Sequence, residues 1–316
     1  MNVTEAKQYL ISKKLFQKPK ISKLGRGNNY DVFLVEESNQ KYTLRASRTD
    51  VITENRLQNE FEILQFLAYS KIDFAQKPIY LDKKNKIALL TFAPGKEIDI
   101  TKLNGKKLEK FVEQLVKLHS LKYNDYLKFC RNNKIEAKKP ETPLENLQIK
   151  GISRFDYVLK NCEDKKLINW IAPKLEEAKK SAKNQKCGKN NLIFNHCDLG
   201  GANIILDGEK ICFIDWEQAK FVYHSDFWLG HIFIRCRHSS SIKQQKITEL
   251  YAKKTNQNPK ELQNKIKERM RISKLTDLIW AAKMYTELKN NGFKNWPHYQ
   301  KMTKQIIAEY DKMFND

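Results

Sequence analysis

The chain has 316 residues, a formal charge of +22 and 41% hydrophobic residues, enough for one large domain or two modest ones around a sizeable core. Its positive residues are overwhelmingly Lys, spread among many Asn and Ile. With no Arg-rich helix, zinc knuckle or aromatic RNA-binding strand, this argues against a nucleic-acid partner and for a solvated lysine surface. The six cysteines have no metal-finger spacing, residues 1–14 lack the apolar stretch of a secretory signal, and no later apolar run approaches the roughly 20 residues of a membrane span. The expectation is a soluble, cytoplasmic protein with reduced thiols and no membrane span. Nothing in the sequence indicates an oligomeric state.

In chain order, the apolar spacing of Val3, Ala6, Tyr9, Leu10 and Leu15 predicts a short amphipathic helix over residues 3–16, a lid or brace for the N-terminal part of the chain. Residues 21–35 read as an apolar approach, a turn containing Gly25 and Gly27, and an alternating strand. Such glycines let backbone amides approach phosphate oxygens, or close a tight hairpin. A strand over 41–46 carries Arg45, which presents either a planar fork to phosphate or an exposed strand cation. The stripe Leu57, Phe61, Leu64, Phe66 and Leu67 predicts a helix over 56–69, on which Glu60 and Glu62 face different ways.

Strands are expected near residues 78–81 and 87–92, with a turn over 82–86 between them. The second stops at Ala93-Pro94-Gly95, a domain-boundary signal. Residues 108–121 carry a strong helical stripe ending near His119, which reads as a structural histidine. The segment 122–189 is rich in Lys and Asn, with helical patterns near 155–159 and 167–178. Residues 242–314 are helical in pattern, and their large aromatics Tyr251, Trp280, Tyr285, Trp296 and Tyr299 read either as core or as a box for a quaternary ammonium.

The most informative stretch is 195–217: a polar loop, a short apolar strand, the turn Asp207-Gly208-Glu209-Lys210 and a second apolar strand over 211–214. Its His196, Asp198 and Asn203 keep the spacing of the protein-kinase catalytic loop, H-R-D-x-x-x-x-N, and Asp215 stands where a second metal carboxylate belongs. A hydroxyl nucleophile needs a nearby carboxylate, and a divalent ion beside a transferring phosphoryl group needs oxygen ligands. The plainer alternative makes Asp198 and Asn203 turn residues and Asp215 a strand end.

His-x-Asp-Leu-x-x-x-Asn followed by Ile-Asp-Trp-Glu resembles the aminoglycoside phosphotransferase and choline kinase superfamily, kinase-fold enzymes acting on small molecules. It departs from the protein-kinase form at Cys197 and at Asp215-Trp216-Glu217, and no Ala-Pro-Glu segment is present. The resemblance implies an α+β, two-lobed, protein-kinase-like fold, with a small β-rich N-lobe over 1–93 and a larger, mostly helical C-lobe over 94–316. It also implies ATP and Mg2+ as cofactors. Asp198 would be the catalytic carboxylate, with Asn203 and Asp215 as metal ligands. Gly25, Gly27 and Asn29, followed by Phe33 and Val35, look like the family's nucleotide loop. Arg45 paired with Glu60, which fits the family's helix pattern better than Glu62, would position the phosphates. Thr91 and Ala93 are the hinge candidates for adenine. His196 and Asp226 would be structural supports, and Glu217 a possible acceptor contact. The implied activity is phosphorylation of a hydroxyl on a small-molecule alcohol: choline or ethanolamine, an amino sugar, or another sugar-like alcohol. The competing reading is a kinase-fold binding module that has lost turnover and uses its basic surface on RNA or anionic lipid.

Overall fold

A computed structural model describes residues 1–26, 30–48, 55–184, 187–188, 192–223, 226–235 and 241–314. The chain forms two compact units, Met1–Ala137 with Phe194–Lys220, and Lys138–Ile193 with Phe221–Asp316.

The first unit opens with helix α1 (Val3–Ser12). It begins in a capping box, with Asn2 accepting from the Glu5 amide at 2.9 Å and Glu5 accepting from the Asn2 amide at 2.8 Å. Next in the chain is an antiparallel sheet of order β1-β2-β3-β5-β4, built from β1 (Lys20–Arg26), β2 (Tyr30–Glu37), β3 (Gln40–Ser47), β4 (Pro78–Asp82) and β5 (Ile87–Thr91). Ala6 and Leu10 of α1 pack with Phe33, Val35, Leu44, Ala46, Ile87 and Leu89, so the helix caps one sheet face as a brace. Tyr9 donates to Asp82 at 2.7 Å and Lys13 pairs with the same carboxylate at 3.2 Å.

Helix α2 (Arg56–Tyr69) turns Leu57, Phe61, Ile63, Leu64, Phe66 and Leu67 inward, together with one charged residue, Glu60. Beyond β5 come β6 (Lys96–Glu97), α3 (Gly105–His119) and α4 (Tyr123–Asn133). Between β5 and β6, Gly95 has φ of 115°, and a β-carbon there would stand 2.3 Å from the Leu206 carbonyl oxygen. Only glycine allows that approach.

The second unit is mainly helical. It contains α5 (Pro143–Leu147), α6 (Ser153–Asn161) and α7 (Lys165–Asn184), and β7 (Leu192–Asn195) leads back toward the first unit's second segment. That segment holds β8 (Ile204–Asp207) and β9 (Lys210–Phe213), joined by a turn with Gly208 at φ 57° and paired from Ile204↔Phe213 to Asp207↔Lys210. After β10 (Lys220–Tyr223), the chain runs through α8 (Asp226–Arg235), α9 (Ser241–Thr255), α10 (Pro259–Asn290) and α11 (Trp296–Phe314). The 32-residue α10 buries Ile272, Leu275, Leu278, Ile279, Ala281 and Ala282 against α6, α7 and α11. At Gly230 a β-carbon would meet Arg269 Cβ and the Ile266 carbonyl oxygen, both at 3.0 Å, so α8 lies tight on α10.

The α+β class expected from the sequence holds, with a small antiparallel-sheet part and a larger helical part. Three helices not foreseen are α4, α5 and α8. The second hairpin strand is bounded at Phe213, one residue short of the expected end, and the Ile214 N–H still reaches the Asn203 carbonyl at 3.1 Å in the register of the hairpin. Among the described residues no helix is long and apolar enough to cross a membrane.

Candidate active site

The charged centre of the first unit is Arg45, the sixth of the eight residues of β3. Its Nη1 pairs with Glu60 of α2 and its Nη2 donates to Asp215 Oδ1 at 3.2 Å. The strand cation, the helix carboxylate and the carboxylate after β9 thus meet at one guanidinium. Glu60 is 1% exposed, and its Oε1 also accepts from the Trp216 amide at 3.2 Å. Burial, reinforced by the Asp215 charge, pushes its carboxyl up to about 7 against the pull of Arg45. Its Oε2 is buried without a partner.

The polar loop is tied by His196 to the residue that follows β9 and is closed on itself by Asn203. His196 Nε2 lies 2.9 Å from the Ile214 carbonyl oxygen, which fixes Nε2 as the protonated nitrogen, while Nδ1 is buried without a partner. Burial lowers the His196 pKa to about 4 despite the nearby Asp215, so the ring is neutral at pH 7. Asn203 Nδ2 donates to the Asp198 carbonyl at 2.7 Å. That bond orients the amide and leaves Oδ1 as its acceptor end.

Two residues here have left-handed backbones without being glycine: Cys197 at φ 64° and Asp215 at φ 66°. Such conformations persist where surrounding bonds hold them. Here Cys197 N–H donates to Asn195 Oδ1 at 2.7 Å, and Asp215 is flanked by the Ile214 and Trp216 bonds. Asn195 in turn donates to His119 Nε2 at 2.8 Å. Burial takes His119 down to about 3, so it is a neutral acceptor that ties the end of α3 to the loop. His119 is the satisfied structural histidine that the sequence suggests.

Glu217 has both oxygens engaged, accepting from Tyr30 Oη at 2.7 Å and from Arg56 Nη1 at 3.0 Å. Thr91 gives its N–H to the Lys77 carbonyl at 2.9 Å, while its carbonyl accepts from Gln76 Nε2 at 2.7 Å and its hydroxyl oxygen from the Lys77 amide at 2.8 Å. Thr91 and Ala93 line a cleft of about 570 Å³ with Phe74, Gln76, Gln114 and Cys212. None of Arg45, Glu60, Asp198, Asn203 and Asp215 lines that cleft, so the two hinge candidates are not brought into the charged cluster.

A β-carbon on Gly25 would meet nothing within 4 Å, so packing does not demand a glycine there. Gly27 and Asn29 lie outside the described residues, and of Asp226 only the backbone is described, at the start of α8. The aromatics of 242–314 do not assemble into one box. Trp280 meets Tyr299 at 5.7 Å, Tyr285 meets Trp296 at 5.8 Å, and Tyr251 is buried on α9.

The phosphotransferase enzyme family matches residues 20–229, well over half of the sequence. The chain belongs to that family. No curated protein matches the sequence. Among solved structures, this phosphotransferase-family chain is similar to a choline/ethanolamine kinase family protein from Mesorhizobium loti, with TM-score 0.71 and 15% identity over 99% of this chain and 95% of that one. It is similar to the choline kinase LicA from Streptococcus pneumoniae, with TM-score 0.65 and 16% identity over 98% and 99%. It is also similar to the spectinomycin phosphotransferase APH(9)-Ia in complex with ADP and spectinomycin, with TM-score 0.63 and 15% identity over 100% and 95%. At these identities the likeness carries the fold, which is the kinase-like α+β fold expected from residues 195–217.

Sequence reasoning passed over Tyr30, Arg56 and Asn195. Asn195 directly precedes His196 and Tyr30 directly follows Asn29, so adjacency to the motifs was the available signal.

Proposed function

We propose that this chain transfers a phosphoryl group from ATP, with Mg2+, to a hydroxyl of a small molecule such as choline, ethanolamine, an amino sugar or another sugar-like alcohol. The observation that carries the reading is the convergence of Glu60 and Asp215 on Arg45, beside a loop that turns Asn203 Oδ1 away from its anchor. In this reading the N-lobe spans 1–93 and the C-lobe 94–316, and Gly25, Gly27 and Asn29 cover the nucleotide phosphates.

The donor set suits magnesium. Asp215 uses one oxygen on Arg45 and its side chain is 30% exposed, while Asn203 offers an amide oxygen. A pair of oxygen donors leaves room for water and phosphate oxygens to complete a hard-cation shell. Magnesium, when bound, would supply charge neutralisation at the phosphates.

The chain's own groups do the rest. Arg45 orients phosphate oxygens, and Glu60 fixes Arg45. Asp198 orients the acceptor hydroxyl and takes its proton. Neutral His196 holds the backbone just ahead of Asp215. Of the two hinge candidates, Ala93 is the better adenine contact, because the backbone N–H and carbonyl of Thr91 are already bonded to Lys77 and Gln76. Positioning and charge compensation supply most of the acceleration in such chemistry.

The test is a thermal-shift series with ATP alone, magnesium alone and both together, followed by ADP release across a panel of alcohols. Stabilisation that needs both, with turnover on one acceptor, is the expected result. The absence of any nucleotide-dependent shift overturns the reading.

A further inference from the structure

We infer that Tyr30, Glu217 and Arg56 form a clasp that sets the pose of Arg45, an inference that rests on the phosphotransferase reading above. Tyr30 opens β2 and is 3% exposed. The Arg45 guanidinium carbon lies 4.7 Å from the centre of its ring, and its hydroxyl donates to Glu217 Oε2 at 2.7 Å. Burial, then the carboxylate, pushes the phenol above its ordinary value, so it keeps its proton and stays a donor. The other Glu217 oxygen accepts from Arg56, the first residue of α2. The Glu217 side chain is 6% exposed and that of Arg56 48%, so the buried end of the clasp is the Tyr30 end.

A guanidinium has two flat faces and an in-plane fork of N–H donors. Tyr30 takes one face of Arg45, while Glu60 and Asp215 take in-plane donors. The side chain is 12% exposed and restrained in three directions before any ligand arrives. A long cation fixed in this way loses less conformational freedom when it meets a phosphate. Glu217 stands two residues beyond Asp215, and Tyr30 comes directly after the Gly25–Asn29 stretch. The clasp therefore ties the phosphate cation to both sequence motifs at once. Glu217 becomes a positioning residue for Arg45 and leaves the acceptor pocket to other side chains.

The test compares Tyr30→Phe, Tyr30→Leu and Glu217→Gln in the full chain by three readouts. These are guanidinium NMR of Arg45 without ligand, calorimetry with ATP and magnesium, and KM against kcat for ATP and for the acceptor found in the panel. In the parent chain the Arg45 signal is displaced by the ring current and rotates slowly. Tyr30→Phe keeps the displacement and weakens ATP binding about fivefold, the size of one hydrogen bond. Tyr30→Leu loses the displacement and weakens binding roughly thirtyfold, the size of a desolvated cation–π contact. Glu217→Gln behaves like Tyr30→Phe, with the loss in KM for ATP and none in KM for the acceptor. An Arg45 signal unchanged in Tyr30→Leu overturns the clasp, as does a Glu217→Gln variant with intact ATP affinity and a raised acceptor KM. A parent chain that binds no ATP defeats the phosphotransferase reading alone, and the Arg45 signal still decides the clasp.

Discussion

In the helical unit, Ile171 and Leu175 of α7, Leu278 and Ala281 of α10 and Tyr310 of α11 meet in one apolar cluster, and the buried charges among that unit's described residues, Arg269 and Lys274, both lie on α10. The unit bearing the candidate site instead buries Glu60, Asn195 and His196 at 1%, 3% and 1% exposure, and leaves Glu60 Oε2 and His196 Nδ1 without partners. Its loop also holds Cys197 and Asp215 in left-handed backbones, whereas the one non-glycine with positive φ among the described residues of the helical unit is Asn256, a residue type that tolerates it. Apolar burial stabilises roughly in proportion to area and asks little of geometry. A buried polar cluster stabilises only where each bond is made, and each orphaned atom in it costs stability.

Substitutions can separate these two kinds of core. The largest effect is expected at Asp215. Asn keeps the left-handed backbone that Ala would strain, so Asp215→Asn removes the charge and little else. Its kcat is expected to fall roughly 10³-fold while the melting temperature stays close to that of the parent. Retained phosphorylation by this variant would break the comparison at its centre. Next comes Leu278→Ala, which opens a cavity in the apolar core and is expected to cost about 3 kcal/mol by denaturant titration. Turnover per folded molecule should not change.

The third prediction concerns pH. The Glu60 pKa is raised from 4.5 to about 7 by burial, so the folded chain holds this proton more tightly than the unfolded chain. Its contribution is complete below about 4.5 and is lost as pH rises through 7. His196 works in the opposite sense. Lowered from 6.5 to about 4, it contributes above 6.5 and loses that contribution as pH falls. Glu60→Gln removes only the first trend, so stability measured from pH 5 to 7 should rise with pH more steeply than in the parent, by on the order of 1 kcal/mol. A parallel profile would show that Glu60 titrates normally. The smallest effect is expected at the surface of the helical unit, where Lys289 pairs with Glu163 at 2.8 Å. Glu163→Gln should leave the melting curve within measurement scatter, because exposed pairs of this kind are screened by solvent.

Much of the site was legible because His196, Asp198, Asn203 and Asp215 lie within one short stretch, where spacing and chemistry can be read together. Helical register left Glu60 and Glu62 both open, and only the resemblance to the family's helix pattern pointed to Glu60 as the partner of Arg45, a pairing that the structure contains. The Tyr30 contact with Glu217 spans 187 residues of chain and the Arg56 contact spans 161, and no local pattern encodes either. Helix α4 escaped notice because its buried side, Tyr126, Phe129 and Cys130, is barely one turn wide in a Lys- and Asn-rich segment. The aromatics of α10 and α11 show the converse limit. Their spacing was visible, but which rings face one another depends on how the two helices pack.

The path of the chain also bears on its synthesis. The first compact unit is interrupted, since Phe194–Lys220 returns to it after Lys138–Ile193 has gone to the other. Phe74 and Phe111 pack edge-on against Phe213, at 5.3 and 5.8 Å, and Trp216 is fully buried. On the ribosome the first 137 residues therefore emerge without the hairpin that covers those rings, and at ordinary elongation rates they wait several seconds for it. During that interval Phe74 and Phe111 lack the Phe213 ring that they meet in the folded chain, and apolar surface left open in this way favours aggregation until the returning segment arrives.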